Sequence, residues 1–262
     1  MGDLSETKLI PQKEAVPGSC SLTVDEACRI VRSGDIILFS GQSWTSLAVT
    51  LFCASQWSHI GIVYRPPGEE PLLFESIKTD DDGSPNIDVR TNQHRVGVRL
   101  VNLRMLLNTF IGHAIAIRTL MTPTSLNAFD EFDQHMTRTI FNCIEDYGYL
   151  PYEERWINFF LARYDFIRLS CSKFDSLFCS ELVALCYQKA GLFSGSRSSL
   201  QYLPDDFSQV GHVRLSYPLD AAAAIGMLTP TIILSPELFI QLPSKKQIKQ
   251  VYSSQRGRPG LC

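Results

Sequence analysis

The chain has 262 residues, of which 45% are apolar and 19% charged, and its 24 Lys and Arg against 27 Asp and Glu leave a formal net charge of −3. That apolar share supplies the core of a large domain, and the near balance of charge excludes the global basic field that marks nucleic-acid binding. Eight cysteines without a CxxC pair exclude a zinc ribbon and a compact disulfide scaffold, and they suit a reducing compartment.

The Met-Gly-Asp-Leu start has no basic stretch followed by an apolar one, so a secretory signal is not expected. Gly2 opens a loose myristoylation-like start, but Glu6 stands where Ser or Thr is wanted. The longest apolar stretches, 47–54 and 221–234, are too short or too interrupted to cross a hydrocarbon layer of about 30 Å. The expectation is a soluble, cytoplasmic protein.

Residues 1–20 carry Pro11, Pro17 and Gly18 with little hydrophobic period and read as a flexible lead-in to one domain over 21–243. Thr23, followed by Asp25 and Glu26 and then Ala27, Ile30 and Val31, predicts a short capped helix ended by Gly34. A buried strand follows at 35–39. The apolar spacing over 44–54 is more helical than alternating. Residues 59–64 and 72–77, separated by Pro66-Pro67-Gly68, predict a hairpin.

The acidic run at 79–85 is a loop, and strands resume at 96–101 and 113–119. From Ser125, Leu126, Phe129, Phe132, Met136, Ile140 and Ile144 recur at intervals of three or four, one face of a long helix closed by Gly148. A second amphipathic helix spans 178–191, with Gly191 as its stop. Beyond it the chain is rich in proline, and 244–262 reads as a polar, frayed tail.

Cys179 falls at the start of that second helix, where the macrodipole and unpaired backbone N–H groups favour an anion. A cysteine there also serves as a small packing residue. His59 opens an apolar strand directly after Trp57 and Ser58, an odd place for imidazole unless it faces a site, although a satisfied strand histidine is the commoner case. His113 is the fallback base. Glu75, inside the apolar run of the paired strand, asks for a partner or else points to water; Asp35 is a second acidic candidate that also reads as a turn residue. Cys28, Cys53, Cys143 and Cys186 fall among apolar neighbours and read as core.

The segments Ser33-Gly34-Asp35-Ile36-Ile37-Leu38-Phe39-Ser40-Gly41, Trp57-Ser58-His59-Ile60-Gly61-Ile62-Val63, Phe74-Glu75-Ser76 and Phe178-Cys179-Ser180-Glu181-Leu182-Val183 together resemble the circularly permuted NlpC-type papain-like hydrolases. Within that group the resemblance is to the YiiX-like branch and related poxvirus and protist sequences, and more distantly to lecithin retinol acyltransferase. It covers roughly residues 30–190, and the order His, Glu, Cys is the permuted one. The resemblance implies an α+β fold in which an antiparallel sheet packs against the helix bearing the nucleophile. It also implies a catalytic set of Cys179, His59 and Glu75. Tyr152, in Gly148-Tyr149-Leu150-Pro151-Tyr152, resembles the family's Gly-x-Pro-Tyr segment and, with Trp44, Ser58 and Ser180, is a candidate for substrate contact. Neither the insertion at 80–95 nor the chain beyond Leu192 has a counterpart motif.

The expected chemistry is attack of a thiolate on an amide or ester carbonyl, lipid-linked or peptide, which needs no metal or organic cofactor. Contact with a membrane surface is compatible with it. A non-catalytic scaffold, or a redox protein in which Cys179 pairs with Cys171 or a partner, is the competing reading.

Overall fold

The computed structural model describes residues 21–41, 55–78, 87–121, 126–152, 177–193, 197–211, 213–215 and 232–256. The lead-in over 1–20, the helix expected over 44–54 with Trp44, and the acidic loop at 79–85 lie outside these residues.

The chain begins with helix α1 (Val24–Ile30), capped as its sequence predicts. Thr23 Oγ1 accepts from the Glu26 amide at 3.2 Å, and Glu26 Oε2 accepts from the Thr23 amide at 2.8 Å, so two otherwise orphaned N–H groups are satisfied. The turn into the sheet passes through Gly34 at φ 95°, where a Cβ would also lie 2.7 Å from the Leu120 and Met136 side chains. Glycine is needed there for both conformation and space.

Strands β1 (Ile36–Gly41), β2 (His59–Tyr64), β3 (Leu72–Ile77) and β4 (Gly97–Asn102) follow, with helix α2 (Leu103–Thr109) and strand β5 (Gly112–Arg118) after them. Next come β6 (Leu120–Met121), α3 (Leu126–Tyr147), α4 (Cys179–Lys189), β7 (Ile233–Leu234), β8 (Leu238–Phe239) and α5 (Lys245–Arg256). The main sheet has six strands in the order β4-β3-β2-β1-β5-β8. Every neighbouring pair in it is antiparallel. The short β6 and β7 pair separately.

Alternation along the strands divides the core in two. Ile36, Leu38, Ile60, Ile62, Phe74, Val98 and Leu100 pack with Phe132, Met136, Ile140 and Ile144 of α3 and with Leu182, Val183 and Cys186 of α4. The intervening residues Ile37, Phe39, Val63, Leu73, Val101, Ile115 and Ile117 pack with Ala27, Cys28 and Val31 near α1 and Leu103, Leu106 and Leu107 of α2. Both faces of the sheet are therefore covered, which accounts for strands that read as nearly continuous apolar runs. Each large aliphatic side chain withdrawn from water in this way contributes about 1.5–3 kcal/mol. The fold is α+β, as the sequence predicts.

Two helices depart from the sequence reading. α2 forms between the two expected strands, where the sequence reading assigned no element; Asn102 caps it by accepting from the Met105 amide at 2.9 Å. The supposedly frayed tail holds α5, whose first turn is closed by Ser244 and Gln247: the Ser244 amide donates to Gln247 Oε1 at 2.7 Å, and the Gln247 amide to Ser244 Oγ at 3.3 Å. That reciprocal cap is a Ser-x-x-Gln signature readable in the sequence. Among the described residues, no helix is long and apolar enough to cross a membrane.

Candidate active site

β2 and β3 pair with Ile62 opposite Phe74. One step further along this register, Glu75 lies across from Gly61, and His59 is two residues away on the same face. A Cβ on Gly61 would meet the Leu73 side chain at 2.8–2.9 Å, so this position stays bare. His59 Nε2 donates to Glu75 Oε2 at 2.8 Å. This bond leaves Nδ1 as the ring nitrogen free to serve another group.

The Cys179 side chain also interacts with the His59 imidazole and raises it, through hydrogen bonding and charge. Cys179 is the first residue of α4, and the segment that delivers it is pinned from two sides. Ser76 Oγ donates to the Leu177 carbonyl at 2.7 Å, and the Leu177 amide donates to Pro151 O at 3.1 Å. Glu181 Oε2 accepts from the Phe178 amide at 3.2 Å and tightens the first turn. Gly191, at φ 72°, ends the helix.

Glu75 is only 2% exposed, and it has a second partner that the sequence reading did not anticipate. Arg99, directly opposite it on β4, donates to Glu75 Oε1 from Nε at 2.9 Å, and its Nη2 lies 2.8 Å from the same oxygen as an ion pair. The only sequence signal for Arg99 is the one that marked Glu75: a charge inside an apolar strand.

The charges follow from these contacts. Burial alone would push the Glu75 carboxyl up, but the Arg99 guanidinium and the His59 hydrogen bond hold it down at about 2. Burial likewise opposes a charged His59, yet the hydrogen bonds and negative charge of Cys179 and Glu75 outweigh it and raise the imidazole to about 10. The arrangement thus favours a protonated imidazole beside an ionised Glu75. Its outer edge is open to water, since the His59 side chain is 23% exposed.

The other sequence candidates are distributed unevenly. Tyr152 is half-buried and meets, edge-on at 5.7 Å, the ring of Phe178, the residue before Cys179. With Phe178, Leu200 and Leu203 it forms a small apolar cluster separate from both main cores. Ser58 is occupied with backbone: its Oγ accepts from the Gly41 amide at 2.9 Å and donates to Phe39 O at 3.3 Å. Ser180 is buried in the first turn of α4. Trp44 lies outside the described residues.

His113 is exposed on β5 and takes no part in this hydrogen-bonded set. His135, on α3, is half-buried, with Nε2 3.0 Å from the Ala190 carbonyl at the end of α4. Asp35 is buried and structural: its two oxygens accept from the Arg32 and Leu120 amides, both at 2.8 Å. Cys28, Cys143 and Cys186 are buried core residues with free thiols. Among the described residues, no group of three or more His, Cys, Asp or Glu is placed to hold a metal ion.

No protein-family model matches the sequence, and no curated protein matches it. Among solved structures, the chain is similar to the crystal structure of metalloprotein yiiX from Escherichia coli O157:H7, DUF1105, with 21% identity and a TM-score of 0.37 over 63% of this chain and 68% of that one. A likeness that distant establishes neither a family nor a reaction.

Proposed function

We propose that the protein is a cysteine hydrolase or acyl-transfer enzyme in which Cys179 is the nucleophile, His59 its base and Glu75 the group that orients the histidine. The observation that supports this most is the meeting of three separate elements at His59, which bonds to Glu75 Oε2 at 2.8 Å and is raised by its interaction with Cys179. Its order in the sequence, with the nucleophile last and at the head of a helix, also supports a circularly permuted papain-like arrangement.

In this reading the Cys179 thiolate attacks an amide or ester carbonyl carbon, and the carbonyl π electrons move to oxygen. N–H groups at the start of α4 stabilise that oxyanion. As the tetrahedral intermediate collapses, the C–N or C–O bond breaks and His59 gives its proton to the departing amine or alkoxide. The thioester left on Cys179 is then cleaved by water, or passed to another amine or hydroxyl, with His59 taking up the incoming proton. Glu75 keeps Nε2 protonated, so that Nδ1 does this work.

The preferred substrate is a lipid-linked acyl group inside a cell. The apolar cluster of Tyr152, Phe178, Leu200 and Leu203 beside the nucleophile favours it over a peptide or isopeptide bond. A redox role has less support: Cys28, Cys143 and Cys186 are free thiols buried in the core, and Cys171 lies outside the described residues.

The test is alkylation of Cys179 by iodoacetamide at pH 6, followed by peptide mass spectrometry. The wild type should label about 100-fold faster than His59→Ala, the lower end of what a positioned base contributes. Equal rates in the two proteins would move the scaffold reading to the front.

A further inference from the structure

Building on that catalytic reading, we propose that Arg99 is a positioning residue of the same site, acting on His59 through Glu75. It fixes the plane of the Glu75 carboxylate so that one oxygen is taken and the other faces His59.

The geometry carries this. The Arg99 contacts to Glu75, from Nε at 2.9 Å and Nη2 at 2.8 Å, fall on Oε1, while Oε2 meets His59 Nε2 at 2.8 Å. A single donor on Oε1 would leave the carboxylate free to swing about that bond. Two donors from a rigid planar fork restrict the swing, which a lysine's point charge cannot do. The Arg99 and Glu75 side chains are 5% and 2% exposed, so water does not compete for these oxygens.

Strand register sets the clamp as well, because Glu75 and Arg99 are direct cross-strand partners and cannot drift apart without shifting β3 on β4. A buried ion pair is a poor way to hold two strands together, since apolar residues of similar volume commonly do as well or better. Orientation of His59 gives this pair a purpose that cohesion alone does not. The arrangement is a four-membered line, Arg99 to Glu75 to His59 to Cys179, in which each group fixes the next.

The proposal is tested by a double-substitution cycle read on Cys179 alkylation at pH 6. Arg99→Gln should slow labelling by about 10-fold, the cost of a catalytic group left imperfectly placed. In a His59→Ala background the same substitution should change nothing, because Arg99 acts only through His59. Arg99→Lys, which keeps the charge but loses the fork, should fall between wild type and Arg99→Gln.

An equal slowing of labelling in both backgrounds would show a merely structural residue and overturn the proposal, as would no slowing in the wild-type background. If Arg99→Gln does not fold, Arg99→Lys takes its place in the cycle: slowing confined to the wild-type background supports the positioning role, and any other pattern overturns it. Failure of the underlying catalytic reading looks different: His59→Ala would then label as fast as wild type. In that case the positioning role falls with it.

Discussion

Glu75 and Asp35 are buried almost equally, at 2% and 3% exposure, yet the protein treats the two carboxylates in opposite ways. Glu75 lies between the Arg99 guanidinium and the His59 ring and is held at about 2. Asp35 accepts from two backbone amides, and desolvation wins over them, raising it to about 7. Burial therefore does not decide the charge of a carboxylate here; its partners do. Where cationic side chains meet a carboxylate, the chain builds a site with fixed charges. Where amides meet it, the chain builds a turn.

The contrast can be broken most forcefully at Arg99. Arg99→Met strands a buried carboxylate and should destabilise the fold by about 3–5 kcal/mol in urea unfolding. Adding Glu75→Gln should recover a large part of that loss, because the uncompensated charge is gone. The pH dependence of the site follows from both of its shifted groups. Glu75 is lowered from 4.5, so its stabilisation is present above pH 4.5 and disappears as pH falls toward 2. His59 is raised from 6.5, so its contribution is complete below pH 6.5 and disappears as pH rises toward 10. The pair is at full strength between those ordinary values, and Glu75→Gln should flatten the acid limb of wild-type stability.

A smaller effect is expected at Asp35. Asp35→Ala leaves the Arg32 and Leu120 amides without their acceptor and should cost about 1–3 kcal/mol. Its pH dependence has the opposite sign to that of Glu75. A carboxyl raised from 3.8 to about 7 stabilises most below pH 3.8 and loses that advantage as pH climbs through 7. Denaturation of wild type and Asp35→Ala at pH 4 and pH 7.5 should therefore give the larger difference at pH 4. The smallest effect belongs to the exposed Glu26, which is lowered by its hydrogen bonds to Thr23. Glu26→Gln keeps the capping geometry, and its melting temperature should move less than that of either buried variant.

Much of this is legible in the sequence. The hairpin bearing His59 and Glu75 follows from two apolar runs around a Pro-Pro-Gly turn, and α3 follows from its three-and-four spacing. The link between Cys179, His59 and Glu75 is legible only as a four-part motif, because nothing local in the chain says that residues so far apart converge. Arg99 shows there only as a charge inside an apolar strand: its meaning depends on the β3–β4 register, and several registers are compatible with the sequence alone. α2 escapes because its Leu103, Leu106 and Leu107 follow a strand without a break, so the apolar run hides the change of period. α5 escapes when polarity is weighed above the Ser244–Gln247 cap.

The most direct test of the catalytic set is intact-protein mass spectrometry of the wild type after brief exposure to an activated acyl ester such as p-nitrophenyl butyrate. The expected result is a single acyl adduct, mapped to Cys179, that forms with a burst of one equivalent and is absent from Cys179→Ala and strongly reduced in His59→Ala. Adducts spread over several cysteines, or forming at the same rate in His59→Ala, would contradict it.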